Sequence, residues 1–247
     1  MDRHKQMLVH ASTTVKPSYV RVLVALAAIF GLKLWSKTLT LSCIQGAERI
    51  LRQVYVKQKP EFQLSTNELL QILRPMYCFS DSGEYWHSTF LKFLKIDLKM
   101  GRVAGDLSFF PNLMHGKIEG LIATHVDDTL VAGTKDFNQA AKRIEDRFDA
   151  KPREESDITF AGIHIEENEA CSFTLHQGLY AERLKALRPD CTFEQFRSRR
   201  HKIAWLDLTR PDVQADTALL AQITKETFTS HVIKNHHQVD WASQEGP

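Results

Sequence analysis

Apolar and polar positions along this chain change period several times, and each change marks an element. After a polar start, "KPSYVRVLVALAAIFGLKL" opens with a proline and a serine and turns apolar from Val22 to Leu32. That run is too short to cross a bilayer comfortably as a helix. It predicts a buried amphipathic helix with Ser18 as its cap and Gly31 at its end. Arg3, His4 and Lys5 lie far upstream, and Lys33 and Trp35 follow in place of a small-residue cleavage site. Both features argue against a signal peptide. Leu34 to Ile44 predicts a short strand, then a turn near Gly46. "AERILRQVYV" predicts a helical turn entering a strand at Tyr55. "STNELLQIL" carries Ser65 and Glu68 at capping-box spacing and predicts a helix. "DSGEYWHSTFLKFLKIDLKM" predicts another, with Tyr85, Phe90, Leu91, Phe93 and Leu94 on one face.

The middle of the chain reads as strands. "DLSFF", the turn "PNLMHGK", "IEGLIATHV" and "TLVAG" give strand, turn, strand, tight turn, strand. "DFNQAAKRIEDRFDA" returns to helical period: Phe137, Ala141, Ile144 and Phe148 share a face, and Asp136 is the expected N-cap. "ITFAGIHIE" and "CSFTLHQ" flank the polar turn Glu167–Glu169 as a second hairpin. "GLYAERLKAL" predicts a helix with Tyr180, Leu184 and Leu187 on one side. Helix-compatible runs follow Arg210, and the end "HHQVDWASQEGP" reads as frayed. Strands and helices without regular alternation indicate an α+β fold.

Composition changes this picture little. A chain of 247 residues with 43% apolar content can bury a sizeable core. A net charge of +2 gives no overall basic signal for a polyanionic partner. Cys43, Cys78, Cys171 and Cys191 have no metal-ligand or disulfide-framework spacing and read as reduced thiols of an intracellular protein, in cytoplasm or nucleus. No membrane partner is expected. His231, His236 and His237 lack paired zinc-ligand spacing and read as surface tail. Trp86 and Trp205 read either as stacking platforms for bases or as core residues. "RSRRHK", Arg197 to Lys202, is either a phosphate-backbone contact or a solvated helix face. A nucleophile elbow, a phosphate-binding glycine loop and a cysteine–histidine signature are all missing, which disfavours a hydrolase.

The chemistry concentrates in "ATHVDDTLVAG". Asp127 and Asp128 sit side by side at the tip between two apolar runs. Two readings stand: a solvated turn, or part of a metal site for phosphoryl transfer. Such a site clamps attacking and leaving oxygens between two Mg²⁺ ions about 3.5–4 Å apart. Hard oxygen ligands are needed, with further carboxylates facing the same ions.

Several stretches taken in order carry a resemblance. "VYVKQKPEF" is similar to VYM-x-QP-x-GF, "RPMYCFSDSGEYW" to LYGLKQSPRAW, and "HVDDTLVAG" to YVDDLLIAG. "FAGIHI" is similar to FLGIEI, "LHQGLYAERLK" to QxxYxxxLL, and "WLDLTRPDV" to YLxxTRPDI. Together with the helix around "VRVLVALAAIFGLKL", these span Ser18 to Val213. They resemble the reverse transcriptase domain of Ty1/copia-type retrotransposons. The resemblance implies a polymerase palm-like antiparallel sheet with packed helices and partial fingers, built on the α+β class. It implies a poorly ordered segment over 1–17, a reverse-transcriptase-like domain over 18–213, and a C-terminal helical segment with a frayed tail over 214–247. It further implies RNA-directed DNA synthesis with Mg²⁺ as cofactor, and RNA/DNA primer–template and dNTP as partners. Asp127 becomes the chief metal ligand, Asp128 its support, and His125 stands at the family's tyrosine.

The same alignment exposes departures. The family's DVKTAFLNG strand begins with the third metal-binding aspartate. Here it reads "TLTLSCIQG", and Thr38 takes the aspartate position. In the nucleotide- and template-facing motif, Ser80 replaces lysine, Asp81 replaces glutamine and Glu84 replaces arginine. Positive charge is lost where polyphosphate would sit. The expectation is a truncated, degenerate polymerase domain that is catalytically dead, with non-catalytic nucleic-acid or protein binding, or a functionless relic, as alternatives.

Overall fold

The structure is a computed structural model and describes residues 14–228, apart from 47–48, 51, 58–68, 78, 80, 169–171 and 189. Its contacts divide the chain after Phe160 into two compact units, inside the segment the sequence reads as one domain. Among the described residues, no helix is long and apolar enough to cross a membrane.

In the first unit, α1 (Pro17–Phe30) forms where the apolar run predicts it. The start differs. Lys16 is the N-cap and Pro17 takes the first turn, where a missing N–H loses no helical bond, so Ser18 lies inside the helix. Gly31 ends it at φ 61°, its N–H turned to the Ala27 and Ala28 carbonyls. That left-handed closure suits a residue without a Cβ. β1 (Lys33–Thr38) and the short α2 (Ser42–Gln45) follow.

β2 (Val54–Lys57) and β3 (Leu69–Ile72) pair antiparallel. β3 corrects the helix expected for "STNELLQIL". Leu70 lies opposite Val56 and Gln71 opposite Tyr55, so strand pairing overrides local helical pattern. Ser65 and Glu68 fall outside the described residues. α3 (Ser82–Ile96) buries Trp86, Phe90, Phe93 and Leu94.

β4 (Phe109–Met114), β5 (Lys117–His125) and β6 (Asp128–Gly133) form the expected meander. With β1 and β7 (Glu154–Glu155) they make one antiparallel sheet in the order β4-β5-β6-β1-β7. "PNLM" belongs to β4 rather than to a turn. The reversal narrows to His115 and Gly116, both at positive φ, a two-residue hairpin turn matching strand twist. Phe110, Ile122, Val131 and Trp35 lie in one register row and pack with the buried face of α3. Phe137 and Ala141 of α4 (Lys135–Ala141), Ile144 of α5 (Arg143–Arg147) and Phe148 complete that core. α1 packs on β1, β5 and β6 through residues outside that cluster, leaving Leu34, Leu121 and Leu130 buried as well. A sheet covered on both faces needs apolar residues at successive positions, which is why these strands do not strictly alternate. The N-cap of α4 is Thr134, whose Oγ1 accepts from the Phe137 N–H, and Asp136 lies in the first turn instead. β8 (Asp157–Phe160) ends the unit.

In the second unit, β9 (Ile163–Glu167) and β10 (Phe173–His176) pair as the expected antiparallel hairpin. α6 (Gly178–Glu182) is shorter than the sequence pattern predicts. Tyr180 and Leu184 pack on Leu206 and Val213, whereas Leu187 packs on Cys191 and Phe196, so the expected face divides between two small clusters. α7 (Phe193–Ala204) starts with a reciprocal capping box between Thr192 and Gln195. Short 3₁₀ turns at Trp205–Leu208 and Pro211–Val213 lead to α8 (Gln214–Ala221). Trp86 is buried, in keeping with the core reading, but Trp205 is 39% exposed and lies over Gly162. The described elements thus form an α+β fold with antiparallel strands.

Candidate functional site

The acid pair sits where β5 reverses into β6. His125 pairs with Asp128 across a reversal made of Val126 and Asp127. Val126 holds φ at 59°, a conformation in which a β-branched residue is a genuine outlier. Two bonds hold the turn in place. Trp86 Nε1 of α3 donates to the Val126 carbonyl at 2.9 Å, and the Leu39 N–H donates to the Asp127 carbonyl at 2.8 Å.

On its other side, β6 pairs with β1 so that Thr38 lies directly opposite Asp128. Thr38 Oγ1 donates to Asp128 Oδ1 at 2.8 Å. Thr38, Asp128 and His125 therefore form one row across three strands, with Asp127 in the turn beside it. Both acids are half-buried. Burial pushes the Asp128 carboxyl above the usual carboxylate range, and Asp127 adds to the rise. The Thr38 hydroxyl, His125 and Lys151 pull in the opposite direction without cancelling it. Buried Cys43 lies near Asp127, and desolvation raises its thiol, with Ser42 opposing and Asp127 reinforcing. It is a packed thiol and not a thiolate nucleophile.

The structure brings Thr38, His125, Asp127 and Asp128 together. Ser80 lies outside the described residues. Asp81 is buried at the start of α3 and accepts from Arg52 at 2.8 Å, with the Arg52 guanidinium over the Phe79 ring. Its charge is answered within the protein. Lys37, one residue before Thr38, is buried and paired with Glu145 at 3.0 Å.

The donor set does not fit a pair of Mg²⁺ ions. Two carboxylates are offered, and the side chain opposite them is a neutral hydroxyl already donating to one of them. Among the described residues, no third carboxylate, imidazole or thiol joins Asp127 and Asp128 with donor atoms all within 4.8 Å.

The "RSRRHK" stretch lies on α7 and divides. Arg199 is buried, and Arg200 donates to the Leu220, Ala221 and Ile223 carbonyls at the end of α8. Arg197 and Lys202 remain exposed. Arg183, Lys185, Arg188, Arg199 and Lys202 line a cavity of about 620 Å³ in the second unit. The sequence reading also missed a cluster of His164, Glu166 and His176 on the β9–β10 hairpin. An H-x-E on one strand with a histidine on its hairpin partner was the available signal.

No family model and no curated protein matches the chain. One solved structure to which it is similar is telomerase from Candida albicans in complex with a TWJ fragment of telomeric RNA, at 10% identity and a TM-score of 0.35. The match covers 96% of this chain and 50% of that one, so this chain spans half the length of that relative. A likeness at this level carries no argument about function.

Proposed function

We propose that this chain is a reverse-transcriptase-like domain of Ty1/copia-type retroelement ancestry, palm-like in its central sheet, that no longer catalyses nucleotide addition. One observation carries the reading. Thr38, which the motif order assigns to the missing aspartate, is paired opposite Asp128 and bonded to its carboxylate. The position beside the acid pair is kept, and the charge is gone. Preorganised charge supplies most of the stabilisation of a transferring phosphoryl group. With one anion replaced by an alcohol, the metal pair loses a ligand that water cannot replace in charge.

The test is primer extension on an RNA template with dNTPs and Mg²⁺. No extension is expected. Synthesis that disappears in Asp127→Asn overturns the proposal. A second arm needs no activity: Thr38→Asp adds a third carboxylate and is expected to give a Mg²⁺-dependent rise in Tm that the unaltered chain lacks. The cation-lined cavity of the second unit supports retained binding of nucleic acid without chemistry. That reading expects primer–template affinity that falls steeply with salt.

A further inference from the structure

We propose that the β9–β10 hairpin is a binding site for a zinc-class divalent cation, held by His164, Glu166 and His176. The proposal is independent of the polymerase reading. All three residues belong to the second unit, whereas the acid pair belongs to the first.

Strand geometry places them together. His164 and Glu166 are two apart on β9, so they project from the same face. His176 on β10 is the register partner of His164. One donor atom from each residue lies within 4.8 Å of the other two. The Glu166 Oε1 atom is 3.4 Å from His164 Nε2 and 3.2 Å from His176 Nε2. A tetrahedral ion with metal–nitrogen and metal–oxygen bonds of about 2.0–2.2 Å sets its ligands roughly 3.3–3.5 Å apart. The His164 spacing falls within that tetrahedral edge and the His176 spacing lies about 0.1 Å below it. The imidazole rings meet edge to face, at 69° with centroids 4.7 Å apart, and both present Nε2 to the same Glu166 oxygen.

The donor types select the metal. Two imidazoles and one carboxylate suit zinc, iron, nickel or copper, not the hard cations Mg²⁺ and Ca²⁺. Three protein ligands leave a tetrahedral ion one position for water. The side chains are partly open to solvent, at 27% for His164, 32% for His176 and 47% for Glu166, so an ion can enter. The hydrogen bonds also define what the ion displaces. His176 Nδ1 accepts from the Gly178 N–H at 3.3 Å, which leaves the ring proton on Nε2, facing Glu166. On binding, the ion takes the place of that proton. The His176 hydrogen moves to Nδ1, and the long Gly178 contact is given up.

Zn²⁺ is titrated into the full chain by calorimetry. One equivalent is expected to bind, with affinity reduced more than about tenfold in His164→Ala, in His176→Ala and in Glu166→Gln, since even outer-shell changes cost at least that much. The triple variant His231→Ala, His236→Ala, His237→Ala is expected to retain the site, which separates it from the tail histidines. Absence of binding, or full binding by a His164→Ala/His176→Ala chain, overturns the proposal. A second measurement uses the unaltered chain and so does not depend on any variant folding. Diethylpyrocarbonate labelling read by mass spectrometry is expected to show Zn²⁺ protecting His164 and His176. Equal labelling with and without Zn²⁺ counts against the site.

Discussion

At Asp128, burial and the neighbouring charge of Asp127 outweigh the Thr38 hydroxyl, His125 and Lys151, so the folded state holds this carboxyl's proton more tightly than the unfolded chain does. The sign follows from linkage. Between the unfolded and the raised folded pKa, the folded state binds more protons, so stability falls as pH rises through that window and stays lower above it. Asp128→Asn removes the charge and keeps an oxygen to accept from Thr38. With a chelator present, it is expected to raise stability at pH 7 by a few tenths of a kcal/mol to about 1 kcal/mol. The gain should shrink towards zero as pH falls below the ordinary carboxylate range. Urea unfolding at neutral and acidic pH checks both parts. A variant less stable than the parent at pH 7 means that something holds the Asp128 charge more strongly than its desolvation costs. The same residue explains why the site resists a restorative reading. The Thr38 hydroxyl partly offsets this half-buried charge at close range, and it does so without supplying the negative field that a divalent ion needs.

Among the elements, α4 is seated on the sheet by two glycines. Gly120 of β5 and Gly133 of β6 are register partners, and the Phe137 ring lies across both. A Cβ on Gly120 would stand 2.2 Å from that ring, and one on Gly133 would stand 2.4 Å from it. Phe137 is buried and belongs to the main core cluster, so the ring has no free space into which to turn. Gly120→Ala is therefore expected to cost about 1–3 kcal/mol by overpacking. Much of that loss should be recovered in a Gly120→Ala/Phe137→Leu chain, as read by urea denaturation midpoints. Equal losses in the two chains place the strain elsewhere. The sequence made this contact half legible. Phe137, Ala141, Ile144 and Phe148 are readable as one buried face from their spacing, and all four are buried. The glycines opposite them carry no local signal, because their meaning depends on a helix that returns over the sheet. The same limit explains β3. Its capping-box pattern is local, and its strand partner lies beyond the intervening residues. For the site, motif order made the row of Thr38, Asp127, Asp128 and His125 legible, but the Arg52 partner of Asp81 was not, since nothing in the spacing joins those two segments.

Among the described residues, the two units are unequally supplied with core. The first holds one continuous cluster running from Trp35 through the α3 aromatics to Phe148, beneath a five-stranded sheet. In the second, two small groups are described, one around Phe196 and one around Leu206 and Val213. Local opening free energy tracks such differences in buried apolar contact. Small cores leave little surplus over the entropy of ordering the chain. Amides of β5 and β6 are therefore expected to exchange slowest in hydrogen–deuterium exchange mass spectrometry, and those of α6, α7 and α8 markedly faster. Uniform protection across the chain would instead mean that both units open in one cooperative step. The zinc proposal adds a distinct signature to this experiment. An ion that bridges β9 to β10 closes a hairpin in the less protected unit, and a ligand that binds only the folded form shifts local opening by mass action. Zn²⁺ should then slow exchange over Ile163–Glu167 and Phe173–His176 while leaving β5 and β6 unchanged. Slowing confined to the acid-pair strands would assign the metal to Asp127 and Asp128, and would count against both the zinc site and the reading of a charge-deficient polymerase centre.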